Sequence, residues 1–135
     1  ERKFRTIQQH ECDPSDLLHV MSYNVLADRL ALKNISPNDR IGSESEFRGP
    51  RIIAEIRQSR ADIICLQELD RVNDFYEPML GALGYKLVHY CRPGLLRGEG
   101  VAIAYNHEKF TLLETNEVDY DQLSNVYPGG GQFRK

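Results

Sequence analysis

Apolar residues fall in short runs separated by polar punctuation, and the spacing within each run sets the element expected there. Leu17 to Asn24 (LLHVMSYN), with Val20 and Tyr23, predicts a strand ending at Asn24. Residues 25–32 suit the start of a helix, whereas 33–45 (KNISPNDRIGSES) carry loop chemistry. Phe47 to Ser59 (FRGPRIIAEIRQS) places Ile52, Ile53 and Ile56 at helical spacing, with Arg51, Glu55 and Arg57 elsewhere on the turn. Pro50 is expected in the first turn of that helix, where a missing N–H costs nothing. Asp62 to Gln67 (DIICLQ) is a continuous apolar run, as in a central strand covered on both faces. Asn73 or Asp74 is expected to cap a helix running to Leu83, with Gly84 ending it. Tyr85 to Cys91 and Val101 to Tyr105 predict strands around a loop at 92–99 (RPGLLRGE), and Phe110 to Val118 predicts one more. Pro128 and the glycines after it punctuate the tail, and no internal repeat is present.

The resulting order, β-α-β-α-β-β-β, is α/β in class, with helices over one sheet face. Residues 1–16 are expected to be an extended lead-in with a turn at Asp13-Pro14, and 17–135 one domain. Nothing in the pattern supplies a layer for the opposite sheet face. The chain is therefore expected to be part of a larger domain, and by itself to dimerise, swap or aggregate through that face.

Composition changes this picture little. With 135 residues, 41% hydrophobic and 27% charged, the chain reads as soluble and globular. A net charge of -3 argues against an overall basic nucleic-acid coat but leaves room for a local basic patch. Cys12, Cys65 and Cys91 are odd in number and lack CxxC spacing, so neither a disulfide framework nor a zinc ribbon is expected. A reducing, intracellular setting follows as the expectation, whether cytoplasmic, nuclear or mitochondrial. No run is long and apolar enough for a membrane span, and the charged start, Glu1 to Arg5, has no signal-peptide core.

Candidate chemistry sits at two strand tips. Asn24 and Glu68 each follow an apolar run, and ligands of open α/β sheets gather beyond the carboxyl ends of the strands. If the two strands are parallel neighbours, an amide and a carboxylate stand side by side there. Such a hard oxygen pair suits Mg²⁺ rather than zinc. The plainer alternative is a turn asparagine and a helix-capping carboxylate.

Met21 to Ala27 (MSYNVLA) resembles the opening motif of the endonuclease/exonuclease/phosphatase family, and Ala61 to Asp70 (ADIICLQELD) resembles its second motif. Glu99 to Ala104 (EGVAIA) is similar to a third landmark, and Asn106 to Leu113 (NHEKFTLL) to the segment after it. Phe75 to Pro78, Leu83 to Tyr85, and Arg92-Pro93 resemble the deadenylase-like branch, which includes the carbon-catabolite-repression deadenylases, nocturnin and Angel-like proteins. The likeness covers about residues 17–120. It implies half of a four-layer α/β/β/α sandwich and a Mg²⁺-dependent phosphodiesterase, with Mn²⁺ as a substitute metal. The implied substrate is single-stranded RNA at its 3′ end, poly(A) foremost. Glu68 is then the principal metal ligand, Asn24 touches the metal or the scissile phosphate, and Arg92 contacts a substrate phosphate.

The chain departs from the family in having no Asp-x-Asn motif and no Ser-Asp-His. His10, His19, His89 and His107 do not stand in the matching context; His19 reads as a strand residue and His107 as a turn residue. The 135 residues alone are therefore expected to bind Mg²⁺ weakly and to cleave RNA poorly or not at all. Tyr90 and the tyrosines near residue 120 are suited to base stacking, though packing is the simpler reading. Two alternatives stay open. One is a same-family enzyme for a 2′,5′-oligoadenylate, a cyclic phosphate end or a dinucleotide phosphate. The other is an interaction module that kept the scaffold without the site. A flavodoxin-like domain would need a Gly-rich phosphate loop after the first strand, which Val25 to Asp28 is not.

Overall fold

The computed structural model describes residues 13, 17–33, 45–91 and 98–119. Strand β1 (Val20–Asn24) leads into a short helix α1 (Asp28–Lys33), then helix α2 (Ser45–Ser59) and strand β2 (Ile63–Leu69). A π-helical turn (Val72–Tyr76) runs into helix α3 (Glu77–Ala82), followed by strands β3 (Tyr85–Cys91) and β4 (Gly100–Asn106). The sheet order is β1-β2-β4-β3, with β1 and β2 parallel and the other two pairings antiparallel. The α/β class and the parallel neighbourhood of the two motif-bearing strands are as expected.

Alternation along the strands divides the sheet into two unlike faces. Ile64 and Leu66 of β2 and Ala102 and Ala104 of β4 are buried against Ile52, Ile53 and Ile56 of α2 and Leu80 of α3. Full burial of side chains such as Ile56, Ile64 and Leu80 stabilises the fold by about 1.5–3 kcal/mol each. The Tyr23 hydroxyl donates to Glu55 Oε2 at 2.6 Å, tying β1 to α2. On the opposite face Val20, Val101 and Ile103 are more than half exposed. A groove of about 510 Å³ lies there between the sheet and residues 112–118, lined by Cys65, Gln67, Val88, Tyr90 and Ile103 among others.

The amino end of β2 is closed by Asp62, which is 5% exposed. Its carboxylate accepts from the His19 main-chain N–H at 3.0 Å and from Lys109 Nζ at 2.6 Å. Its own N–H donates to the His19 carbonyl at 2.7 Å, and its carbonyl accepts from Asn106 N–H at 2.9 Å. The Tyr85 hydroxyl donates to the Ala61 carbonyl at 2.6 Å beside it. Gly100 opens β4 where a Cβ would collide with the Tyr90 carbonyl and lie 2.9 Å from Cys91 Cα, so no side chain fits.

Several expectations are corrected. Strand β1 starts at Val20, and Leu17 and Leu18 before it are about half exposed. Helix α2 starts at Ser45, so Pro50 lies inside it rather than in its first turn. Asn73 and Asp74 cap nothing: Tyr76 N–H bonds to the Arg71 carbonyl and Glu77 N–H to the Val72 carbonyl, five residues back, and Asp74 pairs with Arg71 instead. Pro78, in the first turn of α3, has no N–H to continue an α-ladder through this point. Gly84 ends the element in the left-handed region (φ 86°), as expected. Residues 110–118 form no strand, because they lie across the open sheet face instead of pairing with an edge. Cys65 and Cys91 are free thiols. Residues 1–12 and 14–16, with Cys12 and His10, lie outside the described residues, as do most of the 33–45 and 92–99 loops and everything from Tyr120 on.

Candidate metal site at the carboxyl ends of β1 and β2

Parallel pairing sets Asn24 of β1 opposite Gln67 of β2, so both strand tips end at the same level. Strict alternation would turn Glu68 toward the helices, following Ile64 and Leu66. A register shift between Gln67 and Leu69 prevents this. Glu68 is the extra residue of that bulge, with φ 56°, and Leu69 takes the fully buried position in its place. Bulges re-aim side chains in this way. A left-handed glutamate is strained backbone, which persists where the surroundings over-determine it.

The bulge brings Glu68 to Asn24: Asn24 Nδ2 donates to Glu68 Oε1 at 2.7 Å. Asn24 Oδ1 in turn accepts from Leu26 N–H at 2.9 Å. These two bonds settle the orientation of the amide, since a flipped amide would face donor with donor and acceptor with acceptor. Asn24 therefore presents nitrogen, not oxygen, to the glutamate. Its Oδ1 keeps one lone pair beyond the Leu26 bond.

Glu68 Oε2 is buried and has no hydrogen-bond partner among the described residues. A carboxylate oxygen so placed is costly unless something fills its coordination. The carboxylate and amide oxygens form a hard donor set, suited to Mg²⁺ and unsuited to zinc. Among the described residues, no three His, Cys, Asp or Glu side chains gather into a group able to hold a metal. Mg²⁺ keeps most of its waters and takes few protein ligands, so the residues present fit it.

Behind this pair lies a charged layer that the sequence reading missed. Asp28 N–H donates to Asp70 Oδ2 at 2.6 Å, and the Asp28 carboxylate pairs with Arg48. Arg71 pairs with Asp74 at 2.8 Å, its guanidinium 5.2 Å from the centre of the Phe75 ring. That pairing, with Asp28 and Asp70 nearby, raises the Arg71 pKa further. Tyr76, buried beneath, has its hydroxyl pKa pushed up to about 12, chiefly by burial. An acidic residue two places after Glu68 was the available signal, but nothing in the sequence announced its partner 42 positions away.

Of the site residues expected from sequence, the structure brings Asn24 and Glu68 into contact. Arg92 lies outside the described residues. His19 contributes main-chain atoms to Asp62, His89 is exposed on β3, and His107 stands in a turn. Tyr90 is half-buried on the open face.

A sheet that ends two parallel strands in a carboxylate–amide pair defines a class, and comparison with known proteins identifies it. Residues 21–132 match the model of the Endonuclease/Exonuclease/phosphatase family, and the chain belongs to that family. Within it, the chain is 34% identical over 130 residues to the CCR4-Not complex 3′-5′-exoribonuclease subunit Ccr4 of Neurospora crassa, covering 87% of this chain and 16% of that protein. It is 37% identical over 106 residues to human Protein angel homolog 2, covering 75% of this chain and 19% of that one. The crystal structure of ANGEL2, described as a 2′,3′-cyclic phosphatase, superposes with a TM-score of 0.68 at 36% identity, over 73% of this chain and 30% of that one. The chain thus spans between a sixth and a fifth of the length of these curated relatives. Its fold is part of the endonuclease/exonuclease/phosphatase fold, and its kin are nucleases and phosphatases acting on phosphate esters.

Proposed function

We propose that the full-length protein is a Mg²⁺-dependent phosphodiesterase that shortens RNA from the 3′ end, with poly(A) as the principal substrate. The observation that carries this reading is the buried, unpartnered Oε2 of Glu68, beside an Oε1 already held by Asn24. Similarity to a protein named as a 3′-5′-exoribonuclease supports the choice of substrate.

In this reading Glu68 Oε2 holds the cation, which when bound supplies Lewis acidity to a phosphoryl oxygen. Asn24 fixes the carboxylate through Nδ2, and its remaining Oδ1 lone pair would be available to the metal or the scissile phosphate. Arg92 is assigned to a substrate phosphate, where a cation stabilises charge building on the phosphoryl oxygens. The 135 residues alone bind Mg²⁺ weakly and turn over RNA poorly or not at all, since among the described residues no acid/base histidine accompanies the pair.

A second reading is favoured by the likeness to ANGEL2: opening of a 2′,3′-cyclic phosphate end by the same site. The test incubates the full-length protein with Mg²⁺ and two 3′ ends, a labelled poly(A) tail and an oligonucleotide ending in 2′,3′-cyclic phosphate. A ladder of shortened tails that disappears in Glu68→Ala is expected. Cyclic-end opening without shortening supports the second reading. Turnover that survives Glu68→Ala overturns both.

A further inference from the structure

We propose that Asp70 is a positioning residue for the Asn24–Glu68 pair, latching the turn that carries Asn24 onto the strand end that carries Glu68. The inference rests on the reading of Glu68 as the metal-holding group.

The turn after Asn24 and the bulge at Glu68 each contain a left-handed non-glycine residue, Leu26 at φ 57° and Glu68 at φ 56°. Such residues are strained and need fastening on both sides. The structure fastens the two segments to each other. Val25 N–H donates to the Gln67 carbonyl at 3.0 Å on one side of the two strained residues. Asp28 N–H donates to Asp70 Oδ2 at 2.6 Å on the other. Between these clasps lie the Asn24–Leu26 and Asn24–Glu68 bonds that orient the amide and the carboxylate.

Among the described residues, neighbouring groups do not duplicate the second clasp. The Asp28 carboxylate is turned to Arg48. The first N–H groups of a helix find no acceptor within it, so Asp28 N–H looks outward for one. Asp70 itself is held by the Val72 N–H on its carbonyl, at 3.0 Å, and by the buried Leu69 before it. Loss of the carboxylate frees the Asn24 turn to move away from Glu68, and Oε1 then loses its donor. Groups that orient a metal ligand in this way change metal affinity by about 10–100-fold when removed.

Three variants of the full-length protein test the latch: Asp70→Ala, Asp70→Asn and, at the opposite end of β2, Lys109→Met. Mn²⁺ affinity is read from the spectrum of the free ion by electron paramagnetic resonance, and the Leu26 and Asp28 amides by hydrogen exchange. Asp70→Ala is expected to weaken Mn²⁺ binding about tenfold and to speed exchange at both amides. Asp70→Asn keeps an acceptor oxygen for Asp28 N–H and is expected to stay within about threefold of the parent in affinity. Lys109→Met is expected to melt earlier yet bind Mn²⁺ as the parent does, which separates positioning from general destabilisation. Parent-like affinity in Asp70→Ala, or equal losses in Asp70→Asn and Asp70→Ala, overturns the proposal. Failure of the metal reading shows separately, as Mn²⁺ binding unchanged by Glu68→Gln. The exchange rates then still decide the latch, and unchanged rates in Asp70→Ala overturn it.

Discussion

At the amino end of β2, Asp62 is buried with a main-chain N–H and a lysine ammonium on its carboxylate. At the carboxyl end, Glu68 sits on left-handed backbone with one oxygen held by an amide and the other buried without a partner among the described residues. One strand thus carries two carboxylates in opposite states of satisfaction. A satisfied buried carboxylate contributes to folding, because removing it orphans its donors. An unsatisfied one on strained backbone weakens the fold and is kept where a ligand completes it. Under the proposed function, the contrast separates an acid that serves the fold from the one assigned to the metal.

That contrast breaks most sharply at Glu68. Glu68→Gly is expected to reduce Mg²⁺-dependent turnover of the full-length protein by more than about 100-fold, the loss of a ligand exceeding that of the groups that orient it. The same variant is expected to be more stable by about 1 kcal/mol, since glycine relieves the left-handed backbone. A turnover assay beside a urea melt reads both effects, and a destabilised Glu68→Gly removes the argument from strain.

Asp62→Ala should do the reverse, with a stability loss of about 1–3 kcal/mol from the orphaned His19 N–H, while the largely exposed Lys109 side chain returns to water. Its effect on Mn²⁺ affinity is expected to be small, because the change lies at the far end of the strand.

Acid sharpens the comparison further. The His19 N–H first, and Lys109 second, hold the Asp62 carboxyl below its ordinary 3.8. Between the lowered folded value and 3.8 the unfolded chain binds more protons than the folded one, so stability rises with pH across that window. The Asp62 contribution is complete above that window and is lost as pH falls through the folded value. Urea midpoints measured from neutral pH into this range should fall less steeply in Asp62→Asn than in the parent.

The smallest effect is expected at Lys109. Its side chain is 58% exposed, so Lys109→Met should cost no more than about 1 kcal/mol, read as a shift in thermal midpoint.

Much of this was legible in the sequence where spacing alone decides. Ile52, Ile53 and Ile56 declare the buried face of α2, and the run from Ile63 declares the central strand. The meeting of Asn24 and Glu68 followed from two apolar runs ending in polar residues. Their detailed geometry did not, because alternation sends Glu68 to the helix face and only a bulge turns it back. Asp74 looked like a cap because capping residues are read by type, while the course of the backbone there depends on Pro78 four residues later. Residues 110–118 open with Phe110, Leu112 and Leu113, apolar residues of the kind strands use, but a strand also needs an edge, and these residues lie over a face. The partnership of Asp70 with Asp28 spans 42 positions and is a product of the fold alone.

The most direct measurement is anomalous diffraction from crystals of the full-length protein soaked in Mn²⁺. A single strong peak roughly 2–2.3 Å from Glu68 Oε2, with Asn24 Nδ2 still on Oε1, is the expected result. A Glu68 Oε2 satisfied by a protein donor, with the manganese bound elsewhere, would contradict the account.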